Sequence, residues 1–113
     1  VGVDAVLYRR VRAGTDRRRS SYVSIEVVAD RQDVLLDLLT RVRGGGRTPM
    51  LDRVAPLGEL TVDATQVPHL LTELRCLLEA ARAPQEVDQI RRLARLAHRC
   101  REGRDVELRF EGD

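Results

Sequence analysis

The stretch Gln66–Cys100, QVPHLLTELRCLLEAARAPQEVDQIRRLARLAHRC, leaves a chain of this kind few ways to fold. Val67, Leu70, Leu71, Leu74, Leu77, Leu78 and Ala81 recur at the three-and-four spacing that puts one apolar face on a helix. Val87, Ile90, Leu93, Ala94, Ala97 and Cys100 repeat the device. Ala83-Pro84 separates the two runs, because proline disfavours the helical conformation in the residue before it yet starts a new helix well. The spacing predicts a helical hairpin, and the rest of the chain has to pack against its apolar faces.

The flanks read mostly as strands. Val1, Val3, Ala5 and Leu7 alternate with Asp4, Val6, Tyr8 and Arg10, the pattern of a half-buried strand. Tyr22–Ala29 alternates again, with Val23, Ile25, Val27 and Ala29 on one face and Ser24 and Glu26 opposite. The intervening RAGTDRRRS is a turn, so the two runs form an antiparallel hairpin with an arginine-rich tip. Asp30 is placed to cap a helix whose stripe is Val34, Leu35, Leu38, Leu39 and Val42, with Asp33 in its first turn. Gly44-Gly45-Gly46 ends that helix. A proline-interrupted connection over residues 47–62 ends in a short strand, Leu60–Val62, and Asp63 and Gln66 have the spacing of a capping box. After Gly103, Val106, Leu108 and Phe110 alternate as a last strand. Strands and helices in this irregular order predict a single α+β domain over residues 1–113. It is a small antiparallel sheet with a β-hairpin at the N-terminus, three helices including the long helical hairpin on one face, and a C-terminal strand.

The 113 residues suffice for a core without staples, and 42% hydrophobic with 34% charged residues fits a soluble globular chain. No apolar run reaches membrane-span length and VGVDAVLYRR lacks the order of a signal peptide, so a cytoplasmic location and no membrane partner are expected. All 20 basic residues are arginine, and asparagine is missing too, as a high-GC bacterial genome would produce. Residues 1–20 hold six arginines against Asp4 and Asp16, a local charge of +4, while the remainder is close to balanced. Electrostatic attraction to a partner therefore concentrates near the N-terminus.

Few residues suit catalysis. His69 and Cys76 are two helical turns apart, about 10 Å, too far to share one ion by themselves. A Cys76–Cys100 disulfide would span about 12 Å along the hairpin. No nucleophile–base spacing and no phosphate-binding loop is present, and Asp33 and Asp37 sit on a solvated helix face. A non-enzyme without metal or cofactor is expected. For nucleic acid, Arg91, Arg95 and Arg99 form a helix stripe with Arg92 alongside. However, 3% aromatic content leaves little to stack bases, and Glu86, Asp88 and Glu102 are near enough to pair with these arginines.

Thr48-Pro49-Met50-Leu51, Val54-Ala55-Pro56-Leu57-Gly58-Glu59-Leu60, Gln66, Leu70-Leu71-Thr72-Glu73-Leu74 and Leu108-Arg109-Phe110-Glu111-Gly112-Asp113 follow one another in an order that resembles a family of small, mostly uncharacterised bacterial proteins. That family has a proline-and-leucine segment, a [IV]-D-P-Y-G-D-T turn, a Leu-rich helical hairpin and a closing L-x-F-x-G-D strand. Here the turn departs from the pattern: Ala55, Leu57, Glu59 and Leu60 stand for Asp, Tyr, Asp and Thr. Such proteins are similar in size and build to the immunity proteins that accompany bacterial polymorphic toxins. The resemblance implies a protein-binding module, an immunity-type neutraliser of a toxin domain. The charge bias places the partner contact at Arg12, Arg17, Arg18 and Arg19. The alternative is a nucleic-acid-associated or regulatory module using the same arginines. A homodimer is a third reading, compatible with Cys76 and Ala80 facing away from their helix's apolar stripe.

Overall fold

The computed structural model describes residues 2–12, 20–54 and 59–112, with the side chains of Arg12 and Ser20 outside that description. Its strands are β1 (Val3–Arg12), β2 (Ser20–Val28), β3 (Glu59–Val62) and β4 (Val106–Gly112). Its helices are α1 (Val34–Val42), α2 (Val67–Ala80) and α3 (Pro84–Glu102). The strands form one antiparallel sheet in the order β2-β1-β4-β3, so the last strand of the chain is inserted beside the first. This is the expected α+β architecture, with its N-terminal hairpin, helical hairpin and C-terminal strand.

Alternation decides the two faces of the sheet. Val3, Ala5 and Leu7 of β1, Leu60 and Val62 of β3, and Leu108 and Phe110 of β4 are buried in one core with the helices. Their cross-strand partners agree: Ala5 lies opposite Phe110, Leu7 opposite Leu108, and Leu60 opposite Phe110. Asp4, Val6, Tyr8, Glu107, Arg109 and Glu111 occupy the other face. From the helices, Leu35 and Leu38, Leu70, Leu74 and Leu77, and Ile90, Leu93, Leu96 and Cys100 fill the core. The predicted stripe of α2 is wider than the surface that covers it, since Leu78 remains 43% exposed and Leu71 half-buried.

Polar groups fix where each helix begins. The Asp30 carboxylate accepts the N–H groups of Leu35 and Leu36 at 2.8 and 3.1 Å, as its expected capping role requires. It does so across an inserted turn, Arg31–Asp33, in which Gln32 and Asp33 have positive φ. The same carboxylate accepts the N–H of Val3, and Asp4 accepts the N–H of Asp30, so the start of β1 is tied to the start of α1. Gly2, buried at φ +144°, lies against this knot; a Cβ there would come within 3.0 Å of Asp33 Oδ1. The capping box ahead of α2 forms reciprocally: Asp63 accepts from Gln66 N–H, and Gln66 accepts from Asp63 N–H. At α3 the Glu86 carboxylate reaches back to the N–H groups of Arg82 and Ala83.

Candidate protein-binding surface

The expected contact residues Arg17, Arg18 and Arg19 lie outside the described residues, and of Arg12 only the backbone is described, where it closes β1 opposite Ser20. What the structure describes is the arm that carries them. The β1–β4 pairing reaches only Arg9, whereas β1–β2 pairing continues to Arg12, so the end of the hairpin is a two-stranded projection from the sheet.

β2 departs from the alternation expected of it. Glu26 pairs with Leu7 but Ser24 pairs with Tyr8, so Ile25 is an extra residue, a β-bulge. The slip moves Val27 to the face of Val6, while Val23 pairs with Arg9 on the helix side. Val23, Ile25 and Val27 therefore share no single face, and none is covered: they are 51%, 43% and 54% exposed. Val11 and Tyr22 are exposed beside them. Five of the six large hydrophobic residues left exposed among the described residues thus sit on this hairpin, the sixth being Leu78. β2 is also the sheet edge, paired on one side by β1 alone.

Edge strands that must not associate are shortened, charged or interrupted by proline. β3, at the opposite edge, has four residues with Glu59 among them. β2 has nine residues, no proline and one charged group, Glu26, which is engaged by Arg99 of α3. Its bulge is the one protective device it carries. Unpaired main-chain groups beside bare aliphatic side chains make β2 the part of the described surface best suited to bind another polypeptide.

Toward β4 and β3 the open face of the sheet offers no such contact. Arg109 places its guanidinium 4.5 Å from the ring centroids of both Tyr8 and Tyr22, and its Nε is 2.8 Å from Glu107. Tyr8 donates to Glu111 at 2.7 Å, a bond that holds its phenol above its usual pKa. Both tyrosines are thus occupied by an arginine, with three carboxylates, Glu59, Glu107 and Glu111, around them. Phosphates would meet net negative charge there.

The remaining candidates fall apart in space. Among the described residues no three His, Cys, Asp or Glu side chains gather as metal ligands. His69 is 61% exposed with its Nε2 3.0 Å from Glu73, whereas Cys76 faces the Arg47 carbonyl. Cys100 is buried, 3.8 Å from the Val62 carbonyl, and burial pushes its thiol pKa up. Both thiols are free. Of the α3 arginines, Arg92 pairs with Asp88 and Arg99 with Glu26, while Glu86 pairs with Arg41 of α1 instead of an α3 neighbour. Of the divergent segment Val54–Leu60, residues 55–58 lie outside the described residues, while Glu59 and Leu60 belong to β3.

Sequence reasoning missed two things. The exposure of β2 had no local signal, because a bulge leaves the alternation of residue types intact. Glu73, buried at 1% exposure, was legible only as a polar residue within an apolar run. Its carboxylate accepts the N–H groups of Met50 and Leu51 at 3.1 and 2.9 Å and so holds the connection after α1 against α2. Compared with family models, with curated proteins and with solved structures, the chain has no match in any of the three.

Proposed function

We propose that this chain is a non-enzymatic protein-binding module that neutralises a bacterial toxin domain by stoichiometric association. The single observation carrying the binding half of this reading is the bare aliphatic edge of β2, contiguous in sequence with the arginine-rich segment. The toxin as partner rests on the order of segments shared with immunity-like proteins. An inhibitor of this type needs a rigid platform, a small apolar contact and charge that steers its encounter. Helices packed behind the sheet supply the first, Val23, Ile25 and Val27 the second, and Arg12, Arg17, Arg18 and Arg19 the third.

The test is affinity capture from the source organism, followed by binding kinetics with two variants. Ile25→Glu should accelerate dissociation, because it puts a charge into the apolar contact. Arg17→Glu with Arg18→Glu and Arg19→Glu should slow association, most at low salt. A stoichiometric complex with a protein whose toxicity is thereby suppressed is the expected result. Recovery of nucleic acid, with affinity falling steeply as salt rises, would move the reading to a nucleic-acid-associated module.

A further inference from the structure

A groove of about 210 Å³ runs between α2 and α3 at the molecular surface. Above the buried Leu74 and Ile90, its exposed apolar lining comes from Leu71 and Leu78, two turns apart on α2, and Ala94 of α3. They are the share of the helical hairpin's hydrophobic stripe that the core does not take: Leu78 is 43% exposed, and Leu71 and Ala94 are half-buried. The ionisable groups lining the groove are Arg75 of α2 and Arg91 and His98 of α3; no carboxylate lines it.

The acids beside Arg75 and Arg91 are committed elsewhere. Glu73 is bonded to Met50 and Leu51, Glu79 pairs with Arg47, Glu86 with Arg41, and Asp88 with Arg92. Arg75 and Arg91 are exposed and have no ion-pair partner among the described residues. An apolar floor with two uncompensated guanidiniums on opposite banks complements an apolar stripe flanked by carboxylates. Helices form both banks, and α2, at 14 residues, is about 21 Å long. That shape accepts a third helix laid along the pair, with apolar anchors spaced one to two turns apart.

We propose that the α2–α3 groove docks an amphipathic helix of a partner protein, one whose apolar stripe is flanked by glutamate or aspartate. This surface is separate from β2 and does not depend on the toxin-neutralising reading.

The probes are two synthetic helical peptides of about four turns, with leucines at i, i+3, i+7 and i+10. One carries glutamates beside the leucines and the other lysines. Binding to the full chain is read by titration and by backbone amide shifts. The glutamate peptide should bind about tenfold or more tightly than the lysine peptide, lose affinity with salt, and shift amides of α2 and α3. Arg75→Glu with Arg91→Glu should invert the preference. Leu78→Asp should abolish binding of both peptides while leaving the circular dichroism spectrum and Tm near those of the parent, since Leu78 lies at the surface.

Equal affinity for the two peptides, an unchanged preference in the charge-reversed variant, or shifts confined to other elements would overturn the proposal. So would a dimer in sedimentation that Leu78→Asp alone dissociates, because the occupant would then be a second copy. Binding to phosphatidylglycerol vesicles without binding to either peptide would overturn it as well. A β2 variant, Ile25→Glu, should bind the glutamate peptide like the parent, which keeps this outcome distinct from that of the toxin test.

Discussion

Glu73 shows how much one side chain can fasten. A carboxylate with almost no solvent contact is tolerable because it accepts two backbone N–H groups and lies beside the His69 imidazole. Removing it strands the donors of Met50 and Leu51, so Glu73→Ala should cost about 2–4 kcal/mol of unfolding free energy in a urea titration. His69→Ala should cost about 0–1 kcal/mol, because most of that side chain is in water and its contact is screened. Equal losses from the two changes would mean that the loop is held by something other than Glu73. The cysteines divide in the same way. Cys76 is partly exposed and Cys100 is wholly buried with its thiol pKa raised. A thiol reagent should therefore consume one equivalent promptly in the native protein and two per chain in denaturant, with Cys76→Ser abolishing the prompt phase.

At the scale of elements, the helices are held by their apolar faces and by their ends. Leu74 and Leu93 lie at 2% and 1% exposure, so Leu74→Ala or Leu93→Ala should each cost about 2–5 kcal/mol. An effect near zero for either would mean that its helix is turned differently. The junction of α2 and α3 adds a dependence on pH. Hydrogen bonds from the Arg41 guanidinium first, then from Arg82 N–H, hold the Glu86 carboxyl below the usual glutamate range. A carboxyl depressed in the folded state stabilises it above the ordinary glutamate pKa, and loses that contribution as pH falls through the folded value. The gap in Tm between the parent and Glu86→Gln should therefore be widest near neutral pH and narrow in acid. Thermal melts from pH 7 downward that keep a constant gap would remove the pair from the pH response. Arg41 also donates to the Ala80 carbonyl, so it clamps α1 to the end of α2 as well as to α3.

Across the whole molecule, the chain is elongated, 50 × 27 × 24 Å. The β2 edge lies on the sheet and the basic groove between α2 and α3, and α3 meets β2 through Arg99 and Glu26. No helix among the described residues is long and apolar enough to cross a membrane. The arginine-rich segment between β1 and β2 links strands whose register is set by seven or more paired positions on β1. Reversing Arg17, Arg18 and Arg19 to glutamate should thus leave Tm within a few degrees of the parent while slowing association, a separation that melting curves and binding kinetics read independently. A large fall in Tm would place those arginines in the fold and not in the contact.

Local physics made the elements legible. The repeat of leucines over Val67–Leu78 and of Ile90, Leu93 and Ala97 dictates helices whatever they pack on, Ala83-Pro84 can only break them, and Asp63 and Gln66 cap a helix from within four residues. Alternation at Val3, Ala5 and Leu7, and again at Leu108 and Phe110, likewise needs no partner to be read as strand. Which strand lies at the edge, and which apolar residues stay uncovered, depends on pairings between segments a hundred residues apart. β4 takes the inner place beside β1, and β2 is left outside with a bulge that alternation cannot reveal. Leu78 belongs to the same stripe as Leu74, yet only the packing of α2 on α3 decides that Leu74 is buried and Leu78 left exposed in the groove. Glu73 looks like any polar residue on a helix until the connection after α1 folds over it and brings two N–H groups within reach. Element identity follows from neighbours along the chain, whereas exposure, and with it each proposed binding surface, is a property of the assembled tertiary structure.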